Sequence, residues 1–426
     1  MSLMLSAGVI MLWVVLLGLH PAWCGVPQMR PDAVAQTAVE NYVNEVSSYS
    51  DIQGQQGVWL QSERAVLAQY QGTLPMPVAS LTKIATTLAA LHAWGPTHHF
   101  DTTVYTTGPL RNGVVQGDLV VQGGGDPFFI SEDALELRRT LRQLGVQRVT
   151  GKLVIVGDFY MNFTTSPLVA GRLLKQALQG GRGETPPRPR KRRKAPPVKH
   201  HVLSEPVIMI AGTVQVVDVL GRGHIPLIRH RSLPLVQILK RMNVYSNNAI
   251  AEMLMRDLGG VERMVRHAMQ AAGVPATELR LINGSGLGAE NQLAPRTVCA
   301  LLVGIHKLLR PTDFTIADVF PVAGHDLGTI RRRQLPATSV VKTGTLRNVS
   351  TLAGVILTRA HGPVWFALIN QGVDLGEYRT QQDVLLQALI RHWGAVDSPP
   401  PDFSPTGDLT TSARNDILLR TKGEGG

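Results

Sequence analysis

Pro77-Val78-Ala79-Ser80-Leu81-Thr82-Lys83-Ile84-Ala85-Thr86-Thr87-Leu88-Ala89-Ala90-Leu91 reads as the opening of a helix whose first turn carries a serine and a lysine three residues apart. Leu81, Ile84, Leu88 and Leu91 fall on one apolar stripe, and Gly95-Pro96 stops the pattern. Residues three apart share a helix face, which brings the Lys83 amine near the Ser80 hydroxyl. A serine hydroxyl is a weak nucleophile until a base takes its proton, and a lysine serves when burial or nearby cations lower its pKa toward neutrality. At a helix start the macrodipole favours developing negative charge, and the Ser80 backbone N–H is free to face an oxyanion. Taken alone, the pair is also an ordinary helix cap followed by a solvated lysine, because about one or two Ser-x-x-Lys matches arise by composition in a chain this long.

Two further motifs change the weight of the first. Ser246-Asn247-Asn248 stands at the start of a helical pattern running to Leu258. Lys342-Thr343-Gly344-Thr345 ends the apolar strand pattern Ser339-Val340-Val341, and a hairpin pattern follows it (Leu352 to Leu357, the turn His361-Gly362-Pro363, Val364 to Ile369). The glycine suits a strand that substrate backbone must approach closely. All three motifs occur in the order found in penicillin-recognising enzymes, each in the local structure its chemistry needs.

Composition bounds the rest. The 426 residues are 44% hydrophobic, enough for two or three domains with sizeable cores. Of the net charge of +11, residues 182–199 carry +7, through eight basic residues against the single acid Glu184. The basic balance therefore describes one proline-rich loop and not a basic surface. That run fits a solvated linker, with weak contact to anionic membrane or wall polymers as the partner class its charge suits. Nucleic acid is not expected, because no aromatics are interleaved and the chain reads as exported. The two cysteines, Cys24 and Cys299, exclude a disulfide framework, and Cys299 reads as a small core hydrophobe. The histidines show no metal-ligand spacing, and no metal or cofactor is expected. Gly123-Gly124-Gly125 lacks the Gly-Lys-Ser/Thr ending of a phosphate loop and reads as a turn.

The apolar run Met4 to Leu19, followed by small residues up to Gly25, reads as a signal peptide over 1–24; an uncleaved anchor is the alternative. Helical spacing covers Pro31–Tyr49, Glu132–Leu144, Val261–Ala272, Pro295–Leu309 and Glu377–Trp393. From about Pro226 the texture turns helical, whereas residues 98–225 are rich in strand-like segments. The expected organisation is a helix-rich α+β body in two pieces, 25–97 and 226–396, around an inserted α/β domain, 98–225. The insert holds a disordered basic linker at 182–201, and a mobile tail spans 397–426.

With its flanks included, the chain resembles the D-alanyl-D-alanine carboxypeptidase/endopeptidase family, the low-molecular-mass class C penicillin-binding proteins. The likeness spans most of residues 31–394. It is carried by Pro77-Val78-Ala79-Ser80-Leu81-Thr82-Lys83, Gly117-Asp118-Leu119, Gly123-Gly124-Gly125-Asp126-Pro127, Tyr245-Ser246-Asn247-Asn248 with Ala251-Glu252, Asn283-Gly284-Ser285-Gly286-Leu287, and Ala323-Gly324-His325-Asp326-Leu327-Gly328-Thr329. The resemblance implies a penicillin-recognising fold, a five-stranded antiparallel sheet flanked by helices. It implies cleavage of D-Ala–D-Ala in peptidoglycan stem peptides and of cross-links, with covalent capture of β-lactams.

It also implies residue roles. Ser80 forms the acyl-enzyme, Lys83 is the general base, and Ser246 relays a proton to the leaving amine. Asn248 binds the substrate backbone, and Lys342 and Thr343 hold the terminal carboxylate. The backbone N–H groups of Ser80 and Thr345 form the oxyanion hole, Gly344 lets the strand approach, and Asp158 approaches a substrate side chain. Two departures stand out. The 166-residue spacing from Ser80 to Ser246 is short for members with two nested inserts, so the second insert is expected to be replaced by the basic run; and Asn283 stands where the family often has Asp. A serine β-lactamase is the rival enzyme, disfavoured by the large insert and by the absence of a Glu-x-x-x-Asn element after Ser246. A catalytically silent wall-binding protein is disfavoured by the intact motifs.

Overall fold

The computed structural model describes residues 28–49, 55–181, 206–407 and 412–419. The expected signal peptide 1–24 and basic linker 182–201 lie outside these described residues. The chain starts with β1 (Gln28–Met29) and α1 (Ala33–Ser48), whose N-cap Asp32 accepts from the Ala35 N–H. The hairpin β2 (Gln56–Gln61) and β3 (Ala65–Tyr70) follows. A single 3₁₀ turn at Ala79–Leu81 then leads into α2 (Thr82–Trp94). Next come β4 (Asp101–Thr106), β5 (Leu119–Gly124), α3 (Ser131–Gln143), β6 (Leu153–Asp158), α4 (Pro167–Leu178), β7 (Val214–Val217) and β8 (Ile225–Arg231). The helices α5 (Leu235–Tyr245), α6 (Asn248–Asp257), α7 (Val261–Ala272) and α8 (Pro295–Leu309) precede β9 (Val340–Leu346), β10 (Val349–Thr358), β11 (Gly362–Gln371) and α9 (Leu375–Trp393). A last strand, β12, spans Arg414–Ile417.

The main sheet runs β3-β2-β11-β10-β9 in antiparallel order, as expected, with β1 added in parallel beside β3. Every residue of β10 is buried, because helices cover both faces of the sheet. On one face α1 and α9 close a core containing Val43, Leu60, Leu352, Phe366, Tyr378 and Leu386. On the other, α2, α5 and α8 pack with Ala353, Val355 and Trp365. Thus α2 is buried almost all round, which its high content of Ala and Leu permits.

The second sheet has the order β7-β6-β5-β4-β8-β12. Its β7-β6-β5 part is parallel, and α3 and α4 pack together over the sheet's apolar core. Tyr160 donates to Asp257 Oδ1 at 3.1 Å, and the Arg241 guanidinium sits 5.2 Å from the Phe128 ring centre. These contacts seat the insert on α6 and α5.

Two expectations need correction, and one helix stands where none was read. Residues from Pro226 onward do not turn helical at once: β8 pairs with β4, so the insert's sheet extends to Arg231. Pro226 lies where the register shifts, a bulge position that tolerates a missing N–H. Helix α4, not among the helices read from the sequence, begins on Pro167, a first-turn position where no N–H donor is needed. The tail is not uniformly mobile, for Phe403 is buried against His306 and β12 pairs with β8.

In the β12 contact, Asn415 Nδ2 donates to Thr140 Oγ1 at 2.9 Å, which turns Asn415 Oδ1 toward His230 Nδ1, 2.8 Å away. His230 is buried, so losing this partner leaves a ring N–H unmet. Asn415→Ala is expected to destabilise the fold by about 1–3 kcal/mol, read as a lower urea midpoint with an unchanged slope. An unmoved midpoint would show that the terminal strand contributes nothing.

Candidate active site

The nucleophile candidate sits in a strained turn. Ala79, immediately before Ser80, has φ of 49°, a left-handed conformation in a fully buried non-glycine residue. The carbonyl of Val78 accepts from Leu81 N at 3.1 Å and from Thr351 Oγ1 at 3.1 Å, which ties the turn to β10. Gly286 closes the other side: a Cβ there would lie 1.9 Å from the Ala79 carbonyl oxygen, and its φ is 83°. Only glycine meets both conditions.

Lys83 rises from the first turn of α2 beneath Ser80 and has no solvent exposure. Its Nζ has three neighbours: Ser80 Oγ at 3.0 Å, Asn248 Oδ1 at 2.7 Å and the Ser285 carbonyl oxygen at 2.6 Å. Two of these accept only. A neutral amine has two N–H groups and one lone pair, so donating to Asn248 and Ser285 aims the lone pair at Ser80. Burial favours that neutral form and pushes the Lys83 pKa down to about 7, against the opposing pull of Glu252. Glu252 accepts from Ser285 N at 2.9 Å and from Gly284 N at 3.4 Å, so it fixes the loop that presents the Ser285 carbonyl. Asn283 serves the same loop: its Oδ1 accepts from Gly286 N at 2.8 Å, and its Nδ2 donates to the Leu287 carbonyl at 2.7 Å. A carboxylate at this position reproduces the first bond and not the second.

Ser246-Asn247-Asn248 forms the corner between α5 and α6. Ser246 caps α5 in a left-handed conformation (φ 52°), Asn247 caps α6 by accepting from Ile250 N, and Asn248 is the first residue of α6. The corner explains the spacing. The middle residue is spent on the cap, while Ser246 and Asn248 both turn to the cleft. Because Asn248 Oδ1 faces Lys83, its Nδ2 is left for another acceptor.

Lys342 is fully buried, and its Nζ donates to Ser246 Oγ at 3.1 Å and to the Thr343 carbonyl at 2.7 Å. Burial and the neighbouring Lys83 hold its pKa well below the usual lysine range. β9 is the edge of the main sheet. Val341 N donates to Pro321 O, away from β10, so by the two-residue repeat the N–H groups of Thr343 and Thr345 point to the same open edge. Thr343 Oγ1 donates to Thr329 Oγ1 at 2.8 Å, and the loop bearing Thr329 is held by the Lys240–Asp326 pair at 2.7 Å. Sequence reasoning assigned no role to Glu252, Ser285 or Thr329, although all three lie in the quoted flanks.

Ser80, Lys83 and Asn248 are thus joined by hydrogen bonds, and Ser246 and Lys342 form a second bonded pair, with Gly344 close against the Ser80 turn. Asp158 belongs to neither group. It is exposed at the end of β6, and its charge acts on Asp257 at the far end of α6 from Asn248. That separation is roughly 14 Å along the helix at ~1.5 Å per residue. Among the described residues no group of three or more His, Cys, Asp or Glu side chains is placed to hold a metal ion. At Gly344 the strand passes close to the serine turn: a Cβ there would lie 2.3 Å from Thr351 Oγ1, 2.8 Å from the Val78 carbonyl oxygen and 3.0 Å from Ser80 N. Gly344→Ala should slow acylation of Ser80 by about 10²-fold, by pushing the strand off the serine turn, while circular dichroism stays native. A wild-type acylation rate in this variant would show that the close approach is dispensable.

The D-Ala-D-Ala carboxypeptidase 3 (S13) family model matches residues 42–163 and 200–391. The D-alanyl-D-alanine carboxypeptidase DacB of Haemophilus influenzae is 25% identical over 435 residues, covering 76% of this chain and 87% of that protein. The D-alanyl-D-alanine carboxypeptidase of Actinomadura sp. is 32% identical over 187 residues, 39% of this chain and 34% of that protein. Among solved structures, the peptidoglycan endopeptidase Bd3459 of Bdellovibrio bacteriovorus superposes with a TM-score of 0.65 at 20% identity, covering 86% of this chain and all (100%) of that one. Penicillin binding protein 4 of Haemophilus influenzae gives a TM-score of 0.62 at 21% identity over 83% of this chain and 99% of that one, the same fold. With the family model spanning both the serine helix and the Lys-Thr-Gly strand, the chain belongs to the D-Ala-D-Ala carboxypeptidase 3 (S13) family of serine peptidases.

Proposed function

We propose that this peptidase hydrolyses the D-alanyl-D-alanine bond of peptidoglycan stem peptides through an acyl-enzyme on Ser80, and cleaves D,D cross-links by the same chemistry. The observation that carries the reading is the buried Lys83 amine, whose two carbonyl-type acceptors leave its lone pair on Ser80 Oγ, 3.0 Å away. Lys83 takes the Ser80 proton as Oγ attacks the carbonyl of the penultimate D-alanine. The Ser80 and Thr345 N–H groups receive the oxyanion. Ser246, hydrogen-bonded to Lys342, gives its proton to the leaving amine and takes in its place the proton that Lys83 received from Ser80, and the C–N bond breaks. Asn248 donates its free Nδ2 to the substrate backbone, while Lys342 and Thr343 bind the terminal carboxylate. Water then attacks the ester, returning the proton to Ser80 and releasing the shortened peptide. β-Lactams enter the same path and stop at the ester, as in the penicillin G-acylated Bd3459 structure.

Asp158 hydrogen-bonds to none of the serine cluster, and its exposed position suits contact with a distal side chain of the stem peptide. Export through residues 1–24 matches an extracytoplasmic substrate. No helix among the described residues is long and apolar enough to cross a membrane.

Fluorescent penicillin should label the parent chain covalently and leave Ser80→Ala unlabelled; an unlabelled parent would sink the reading. Rapid loss of the label would instead identify a β-lactamase. Product analysis on peptidoglycan fragments then separates released D-alanine from opened cross-links. Acylation should also report the base. Only neutral Lys83 accepts the proton, and the neutral fraction grows as pH rises through about 7. The acylation rate should therefore climb roughly tenfold per pH unit below ~7 and level off above it. A flat profile from pH 5.5 to 9 would exclude Lys83 as the base. Lys83→Gln should slow acylation by about 10²–10⁴-fold.

A further inference from the structure

One residue stands between a carboxylate and the Lys83 amine. Ser285 donates its N–H to Glu252 Oε1 at 2.9 Å, and its carbonyl oxygen accepts from Lys83 Nζ at 2.6 Å. Gly284 N donates to the other carboxylate oxygen at 3.4 Å. The same loop meets the serine helix at two more points. The Gly284 carbonyl accepts from Thr86 Oγ1 at 2.7 Å, and Gly286 lies against the Ala79 carbonyl. Half-buried Glu252 belongs to α6, one turn beyond Asn248 on the same face. Helix α6 therefore reaches the amine twice, directly through Asn248 Oδ1 at 2.7 Å and through Glu252 by way of Ser285.

A carboxylate at that place bears on the reaction. When Lys83 takes the Ser80 proton, as Oγ bonds to the substrate carbonyl carbon, the amine becomes an ammonium with no exposed surface. A buried charge without a counter-charge is costly. The groups that face the amine from α2, the Ser246 corner and the 283–288 loop are neutral: Ser80, Asn248 and the Ser285 carbonyl. From β9, Lys342 opposes a second positive charge. Arg256, one turn beyond Glu252, is exposed and acts on Asp257. Among the described residues, Glu252 is the one acid whose charge acts on Lys83. A negative charge held in place beforehand favours the ammonium over the resting amine, so it favours the transition state over the ground state.

We propose that Glu252 is a positioning residue for acylation: its grip on the Ser285 and Gly284 N–H groups sets the Ser285 carbonyl on Lys83, and its charge offsets the ammonium formed when Ser80 gives up its proton. This rests on the peptidase reading above and deepens its first step.

The test follows the rate of labelling by fluorescent penicillin from pH 5.5 to 9, with the full chain, Glu252→Gln and Glu252→Asp. In the parent the rate breaks near pH 7, where the amine loses its proton. Without the carboxylate the ammonium is harder to form, so in E252Q the break should move to lower pH. Its plateau should fall roughly 10- to 100-fold, in the range of a lost charge-assisted hydrogen bond. E252D keeps the charge and shortens the reach, so it should keep the parental break with a plateau roughly 10-fold lower. A residue that merely braced the loop would lower the plateau of E252Q with its break unmoved, or raised by entering water, and either result overturns the inference alone. So does a parental plateau in E252D, which decides the matter if circular dichroism shows E252Q unfolded. If the parent itself takes no penicillin label, the peptidase reading falls and takes the inference with it.

Discussion

A primary amine shut away from water is the constraint on which the site is built. Lys83 has no exposed surface, and a charged ammonium there costs free energy that a neutral amine does not. Its environment is shaped to that neutral form. The Ser285 carbonyl and Asn248 Oδ1 absorb its two N–H groups, and Ser80 faces what remains. Each partner comes from a different part of the chain: a 3₁₀ turn, a helix start and a loop. Glu252, Asn283 and Gly286 hold that loop in place. A second buried amine, Lys342, adds repulsion that keeps both from holding a full charge cheaply.

The sheet edge supplies the other half of the site. β9 ends the main sheet, and an unpaired edge is ordinarily a liability. Here the serine turn, the 283–288 loop and the loop bearing Thr329 crowd against it, leaving the Thr343 and Thr345 N–H groups as the open stretch. The same edge that invites strand addition in other proteins is the place where an extended peptide can lie against a nucleophile.

Much of this was legible before any coordinates. Ser80, Lys83, Ser246, Asn248 and Lys342 stand in motifs whose helix and strand contexts are readable from periodicity, and hydrogen bonds join Lys83 to Ser80 and Asn248, and Lys342 to Ser246. The five antiparallel strands follow from segments with strong apolar patterning. What escaped reading was non-local. β8 and β12 are short, polar-interrupted segments that become strands only because β4 and β8 offer edges. Glu252 looks like a surface charge on a helix until the 283–288 loop is brought beside it. Asp158, read from a likeness of local text as approaching a substrate side chain, is exposed at the end of β6 and hydrogen-bonds to none of the serine cluster.

The terminal strand bears on how the molecule is made. The insert's sheet has an open edge along β8 until residues 414–417 arrive, and the main sheet cannot close until Trp365 meets Gln61. Both sheets therefore wait for strands that come late in the sequence. Until those strands are made, two strand edges stand unpaired, the state most exposed to wrong pairing. Residues 414–417 thus act less as a tail than as the latch that ends the period of risk.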